Sequence, residues 1–367
     1  MSTPVAPRPA ADPPARSSDL AAVRPSVRPP VRPSARPPAM SDVAAVAGVS
    51  HQTVSRVLND HPSVREETRQ RVLDAIEATG YRRNTAARAL VTRRTGTIGV
   101  VTSGSALFGP TSTLIAIENA ARDAGRFVSV ATVARWQAEA MRRALEHFLD
   151  QGVDGVVVVA GHDDAVDAVR RFASAVPVVM VGPPVLPGPG PRTVAVDQYA
   201  GARAAVRHLL DLGHTGVVHV AGPAHWLDAR RRVSGWEDEL RSAGVEPGPA
   251  LPADWSADSG YRAGRRLLAD GLPTAVFAAN DQLALGLLHA FAEAGVRVPG
   301  DVSVVGFDDV DGAAHFVPPL TTVRQDFREL GARCLAVLLD LIDGGDPHPD
   351  TVAPRLVVRE SSGPPHG

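Results

Sequence analysis

From about residue 97 onward, short apolar runs alternate with amphipathic stretches, and this alternation constrains the fold more than any other feature. The runs cover residues 98–102, 127–132, 155–159, 178–181, 217–221, 275–279 and 302–306. Each is short, rich in Val and Ala, and apolar on successive residues, as expected of strands buried on both faces. Stretches 139–150, 201–212 and 282–294 between them carry apolar residues at helical spacing. The pattern predicts α/β architecture, with parallel sheets covered by helices on both faces. There are too many units for one sheet of usual size, so two lobes are expected. The Pro/Gly-rich segment 183–191 is the expected break between them. In such folds ligands bind beyond the carboxyl ends of the strands, here between the lobes.

The region before this pattern reads differently. Residues 42–47 have helical spacing and are stopped by Gly48. Ser50 is a good N-cap for a helix over 51–58. Ser63-Val64-Arg65-Glu66 matches a capping box and should open a third helix to about Thr79, with Val72, Leu73 and Ile76 inward. Gly80 should end it. Helix, Gly-containing turn, helix is a helix-turn-helix layout.

Residues 1–39 hold 11 Pro and 6 Arg. They cannot bury a core and are expected to be a disordered, polyproline-like tail, either an untranslated or dispensable extension before Met40 or a source of non-specific attraction to phosphates. The net charge of −2 hides a division. Residues 1–95 contain 15 Arg against 8 acidic residues, while the remainder contains 23 Arg against 32. A basic front on an acidic body suggests that the N-terminus faces nucleic acid. One cysteine, Cys334, excludes an intrachain disulfide and a multi-cysteine metal site. No apolar run approaches a membrane span, and the tail lacks a signal-peptide core. The expected location is cytoplasmic.

The string Val43-Ala44-Ala45-Val46-Ala47-Gly48-Val49-Ser50-His51-Gln52-Thr53-Val54-Ser55-Arg56-Val57-Leu58-Asn59, continued by Asn84-Thr85-Ala86-Ala87-Arg88-Ala89-Leu90, resembles the DNA-reading segment of the lactose/galactose repressor (LacI/GalR) family. The resemblance covers the rest of the chain to about Ser361. It implies a helix-turn-helix domain at 40–83, a hinge helix and linker at 84–95, and a periplasmic-binding-protein-like core of two doubly wound lobes at 96–361, followed by a tail at 362–367. The first lobe is expected at about 96–195 and 324–346, the second at about 196–323 and 347–361.

The residue chemistry agrees with this resemblance. His51, Gln52 and Arg56 lie on or near one helix face, and Gln and Arg can pair bidentately with adenine and guanine. Ser50, Thr53, Ser55 and Asn59 suit DNA contacts, chiefly to phosphate oxygens, which fix register. Ser50 and Thr53 are also able simply to cap and solvate their helix. The resemblance adds Tyr81 and Asn84 as backbone contacts. Residues 84–90 form only two turns, so this helix needs a partner or DNA to persist. In the family it pairs with its twin in the minor groove, with Ala87 allowing close approach and Leu90 as the wedge that kinks the duplex.

In the core, the resemblance assigns an effector pocket. Trp255 would stack on a sugar face, Arg232 would grip hydroxyls, and Asn280 and Asp308 would add polar contacts. Gln325 and Phe327 would line the cleft from a returning crossover. Leu107, Gly109 and Pro110 would form a loop wall after the first strand. Trp226 and Trp236 read as core or interface, and Asp281 and Asp309 as structural groups. Two positions depart from the lactose-responsive members: Gly182 stands where they carry an acidic sugar contact, and Phe108 where they carry histidine. No heptad helix follows residues 355–359, so a homodimer is expected rather than a tetramer.

The function this implies is a sequence-specific DNA-binding transcriptional regulator. It would repress sugar-utilisation genes from a near-palindromic double-stranded operator, with affinity set by a small sugar, galactosides included, bound between the lobes. The alternatives are a transport-receptor-like sugar binder and a ligand-independent DNA binder. A nucleophile elbow, P-loop, zincin motif and dinucleotide fingerprint are all missing, so neither an enzyme nor a cofactor or metal is expected.

Overall fold

The computed structural model describes residues 38–82, 94–104, 107–133, 138–159, 161–171, 176–183 and 191–365. The chain divides into two units, Met1–Asn84 and Thr85–Gly367.

The first unit contains α1 (Met40–Ala47), α2 (His51–Leu58) and α3 (Glu66–Thr79). Gly48 takes the left-handed conformation that closes α1, at φ +65°. Ser50 caps α2, its hydroxyl accepting a hydrogen bond from the Thr53 backbone N–H at 3.1 Å. Val43, Val54, Val57, Val72, Ala75 and Tyr81 form the core. The capping box expected at Ser63 does not form. The Ser63 hydroxyl turns to His61 Nδ1 at 2.8 Å, a local bond that competes with capping, and α3 starts after Arg65 without a side-chain cap. Leu73, expected inward, is exposed, and Ala75 takes the core position instead.

The second unit is built on two six-stranded sheets. The first contains β1 (Thr97–Ser103), β2 (Phe127–Val133), β3 (Gly155–Val159), β4 (Val178–Val181), β5 (Arg192–Val196) and β11 (Asp350–Val352). Its order is β11-β5-β4-β3-β1-β2, and its recorded pairs are all parallel. The second contains β6 (Val218–Ala221), β7 (Leu251–Pro252), β8 (Ala275–Ala278), β9 (Ser303–Asp308), β10 (Thr321–Arg324) and β12 (Arg355–Val357). Its order is β12-β10-β9-β8-β6-β7, with only the edge pair β10–β12 antiparallel.

Helices cover both faces of each sheet. In the first lobe they are α4 (Phe108–Asp123), α5 (Ala138–Asp150), α6 (Asp163–Arg171) and α11 (Phe327–Ile342). In the second they are α7 (Gln198–Asp211), α8 (Leu227–Ser242), α9 (Ala257–Asp270) and α10 (Asp281–Glu293). Separate apolar clusters fill the two faces of each sheet, around Ile98 and Phe148 in one lobe and Phe291 and Trp236 in the other.

Two boundaries differ from the sequence expectation. Segment 183–191 is not the break between lobes, because β4 and β5 on either side of it are hydrogen-bonded neighbours in one sheet. The chain instead crosses after β5, after β10 and after β11. The last crossing falls near residue 353, since β11 pairs with β5 of the first lobe.

Leaving aside the late strands β11 and β12, both sheets repeat one order, second-first-third-fourth-fifth. The order reverses between the first and third strands of each, and the strand ends there are the natural ligand site of such a sheet.

Candidate functional site

A cleft of about 750 Å³, counting its open mouth, lies at these strand ends within the second unit. All nine residues expected to bind an effector line it: Leu107, Gly109, Pro110, Arg232, Trp255, Asn280, Asp308, Gln325 and Phe327. One detail is corrected. Gly109 and Pro110 are not loop residues but sit in the first turn of α4, where Pro needs no backbone donor.

Arg232, on α8, is the centre of the polar wall. Its Nε donates to Gln198 Oε1 at 2.9 Å, one Nη donates to the Ala279 carbonyl, and the other lies 3.7 Å from Asp308 Oδ1. The guanidinium carbon stands 3.8 Å from the Phe307 ring centroid and 5.5 Å from that of Trp255. Gln325 donates to Asp308 Oδ1 at 2.6 Å and accepts from Gln198 Nε2 at 2.9 Å. Gln198 and Gln325 stand beside two of the crossovers, so this network also ties the lobes' connecting segments together. Burial pushes the Asp308 carboxyl up to about 6, with Arg232 and Gln325 opposing the rise. Burial also lowers the Arg232 pKa.

Asn280 is doubly engaged. Its Oδ1 accepts from the Leu283 N–H at 2.8 Å, capping α10, and its Nδ2 donates to the Trp255 carbonyl at 3.1 Å. It therefore holds Trp255 in place, at a backbone φ of +75°, as well as facing the cleft. The Trp255 indole N–H is buried without a hydrogen-bond partner among the described residues.

Three of the polar and aromatic cleft residues, Gln198, Asp228 and Trp226, are not legible as such in the sequence. Gln198 and Asp228 line the wall, and no motif in the sequence marks them. Trp226, read as core or interface, lines the cleft and meets Trp255 edge-to-face at 5.9 Å. Phe108 packs edge-to-face on Phe327 at 5.6 Å. Each lobe thus supplies an aromatic pair. The remaining readings hold in the structure: Trp236 is core, its N–H donating to the Val217 carbonyl at 2.8 Å. Asp281 accepts from Thr322 and from the Val310 N–H, and Asp309 pairs with Arg324 and Arg359.

In the first unit, Ser50, His51, Gln52, Arg56 and Asn59 are exposed and Thr53 and Ser55 half-buried. The Ser50 and Thr53 hydroxyls also bond each other at 2.9 Å. Tyr81 is 7 % exposed and packs in the core, which limits any contact it makes. Asn84, Ala87 and Leu90 fall outside the described residues.

A small three-helix unit with an exposed polar helix, joined to a two-lobed core with a polar and aromatic cleft, defines a ligand-binding DNA-recognition protein. Comparison with known proteins places it further. Residues 39–84 match the model of bacterial regulatory proteins of the lacI family, and 206–362 that of the periplasmic binding protein-like domain. The chain is 37 % identical over 322 residues to the lactose operon repressor of Escherichia coli (strain K12), covering 88 % of this chain and 89 % of that one. The structure of the lac repressor dimer bound to operator and the anti-inducer ONPF superimposes with a TM-score of 0.77 at 35 % identity, over 89 % of this chain and all of that one. A complex of the transcriptional regulator CelR with cellobiose gives 0.66 at 33 % identity, over 88 % and 99 %. The chain belongs to the LacI family and is a DNA-binding transcriptional regulator. Among its described residues no helix is long and apolar enough to cross a membrane.

Proposed function

We propose that the protein is a dimeric repressor whose operator affinity is set by a small sugar bound in the cleft. The observation that carries the reading is the pairing of Trp255 with the Arg232–Asp308–Gln325 network on one cleft wall. An indole offers a flat apolar platform for sugar C–H groups, and the network offers donors and acceptors for hydroxyls. Relatives whose structures contain operator, ONPF or cellobiose support the same reading.

In this reading α2 enters the major groove. His51, Gln52 and Arg56 face base edges, while Ser50, Thr53, Ser55 and Asn59 lie along the phosphates. Asn84, Ala87 and Leu90 belong to the hinge that inserts in the minor groove. Effector binding matters only through its different affinity for the DNA-competent and DNA-incompetent arrangements of the lobes.

The test is a calorimetric screen of mono- and disaccharides on the full chain, with binding to its own upstream DNA as second readout. A sugar that binds at one site per chain and shifts DNA affinity supports the reading. A screen in which no sugar binds overturns it.

A further inference from the structure

We propose that Asp228 selects the effector: its carboxylate accepts hydrogen bonds from a donor on the ligand, a pair of sugar hydroxyls or an amino group, and turns away anionic sugars. The inference rests on the sugar-effector reading above.

Asp228 lies in the first turn of α8, one turn before Arg232, and lines the cleft. The two cleft acids are treated differently. Asp308 accepts a hydrogen bond from Gln325 and pairs with Arg232. Asp228 receives no hydrogen bond from any described residue; what acts on it is burial, which raises its pKa, and the more distant charge of Arg232, which opposes the rise. The side chain is half-buried and open to the cleft, so its acceptor oxygens are free to take up a ligand's donors. The charge balance points the same way. One guanidinium faces two carboxylates, so the ionised site is net acidic, and a further anion would be repelled at close range.

Its position suits a reader of ligands held between the lobes. A Cβ built on Gly161, in the opposite lobe, would stand 3.6 Å from Asp228 Oδ2, so the carboxylate reaches the facing wall. Gly182 also lines the cleft. Its φ of +152° is one that L side chains rarely adopt. The cleft's first-lobe wall therefore has no side chain at this point, and the acid facing it is Asp228, beside Arg232 on one helix face. A first-turn acid also favours the helix dipole, but that role would not change which ligands bind.

The test is titration calorimetry on the full chain with lactose, cellobiose, D-glucosamine and D-glucuronate, for the wild type, Asp228→Asn and Asp228→Ser, with thermal unfolding of each ligand-free protein. The wild type is expected to bind a neutral or amino sugar and to leave glucuronate unbound. Asp228→Asn should weaken the best binder at least tenfold and narrow its discrimination against glucuronate, with ligand-free unfolding preserved in at least one variant. Sugar binding with unchanged affinity and rank order in both variants overturns the role of Asp228 alone. Absence of binding by every sugar, in a folded wild type, overturns the sugar reading and this inference with it.

Discussion

Asp163 of one lobe and Arg230 of the other form a two-pronged ion pair beside the cleft, with both N–O distances 2.7 Å. Neighbouring contacts reinforce it: the Leu227 N–H donates to the Gly161 carbonyl at 2.8 Å, and the His162 and His225 rings meet tilted, with centroids 4.5 Å apart. Gly161 and Trp226 line the cleft at this point, so the contact joins the two lobes at the cleft wall.

Both partners are about half exposed, at 44 % and 51 %. A pair in that setting is worth about 0–1 kcal/mol. Arg230→Ala should therefore barely move the unfolding temperature. It should instead speed effector release by up to about fivefold, the rate equivalent of that energy. Stopped-flow tryptophan fluorescence would measure this, and an unchanged release rate would show that the latch does not restrain the lobes.

Asp281 gives a pH signature. Burial, with Asp308 nearby, pushes its carboxyl from 3.8 up to about 8, against the hydrogen bonds from Thr322 and the Val310 N–H. The folded state holds this proton more tightly than the unfolded state. Its contribution is thus fully present below 3.8 and is lost as pH rises through about 8. Asp281→Asn keeps an acceptor for Val310 and can donate to Thr322. The variant should fold and show a flatter decline of unfolding temperature between pH 5 and 8, on the order of the window set by linkage. Identical pH profiles for the two proteins would assign the ionisation elsewhere.

Trp255 separates platform from packing. Its indole N–H has no partner among the described residues, so Trp255→Phe breaks no hydrogen bond with them and should stay folded. Trp255→Ala removes a buried ring from the core of the second lobe and should cost about 3–5 kcal/mol. Both should weaken sugar response, and the Phe variant is the decisive one. Fluorescence or calorimetric titration that finds wild-type sugar affinity in Trp255→Phe would mean that any aromatic ring suffices there.

How much of this was legible in the sequence follows from how local each signal is. Helix α2 kept the bounds read from Ser50 and the residues after it, and β3 and β4 kept theirs, because a cap or an unbroken apolar run is local. Helix α4 was hidden by Gly109 and Pro110 in its first turn, which look like loop residues, and by Leu107 at the N-cap position, which has no side-chain group to cap with. Strand β5 was hidden by the Pro/Gly segment before it. Arg232, Trp255 and Asp308 were legible because the resemblance carried them. Asp228 and Gln198 were not: each resembles an ordinary polar residue near a helix start, and only the meeting of strand ends from two sheets turns them toward the cleft. Ser63 misled because its hydroxyl had a nearer partner in His61.

The DNA-reading helix yields a comparison between two kinds of loss. Ser50 caps α2 through the Thr53 N–H, so Ser50→Ala should destabilise the first unit by about 1 kcal/mol. That loss acts before any base is touched and should weaken binding similarly on all DNA sequences. Gln52 and Arg56 are exposed, and helix packing does not require their polar groups. Replacing either with Ala should instead relax discrimination at one base position by about 1–3 kcal/mol, leaving non-specific binding nearly intact. Binding to a randomised half-site library, read for each variant at one fixed salt concentration, distinguishes the two patterns. A uniform loss across the library for Gln52→Ala and Arg56→Ala would place these side chains on phosphates rather than on bases.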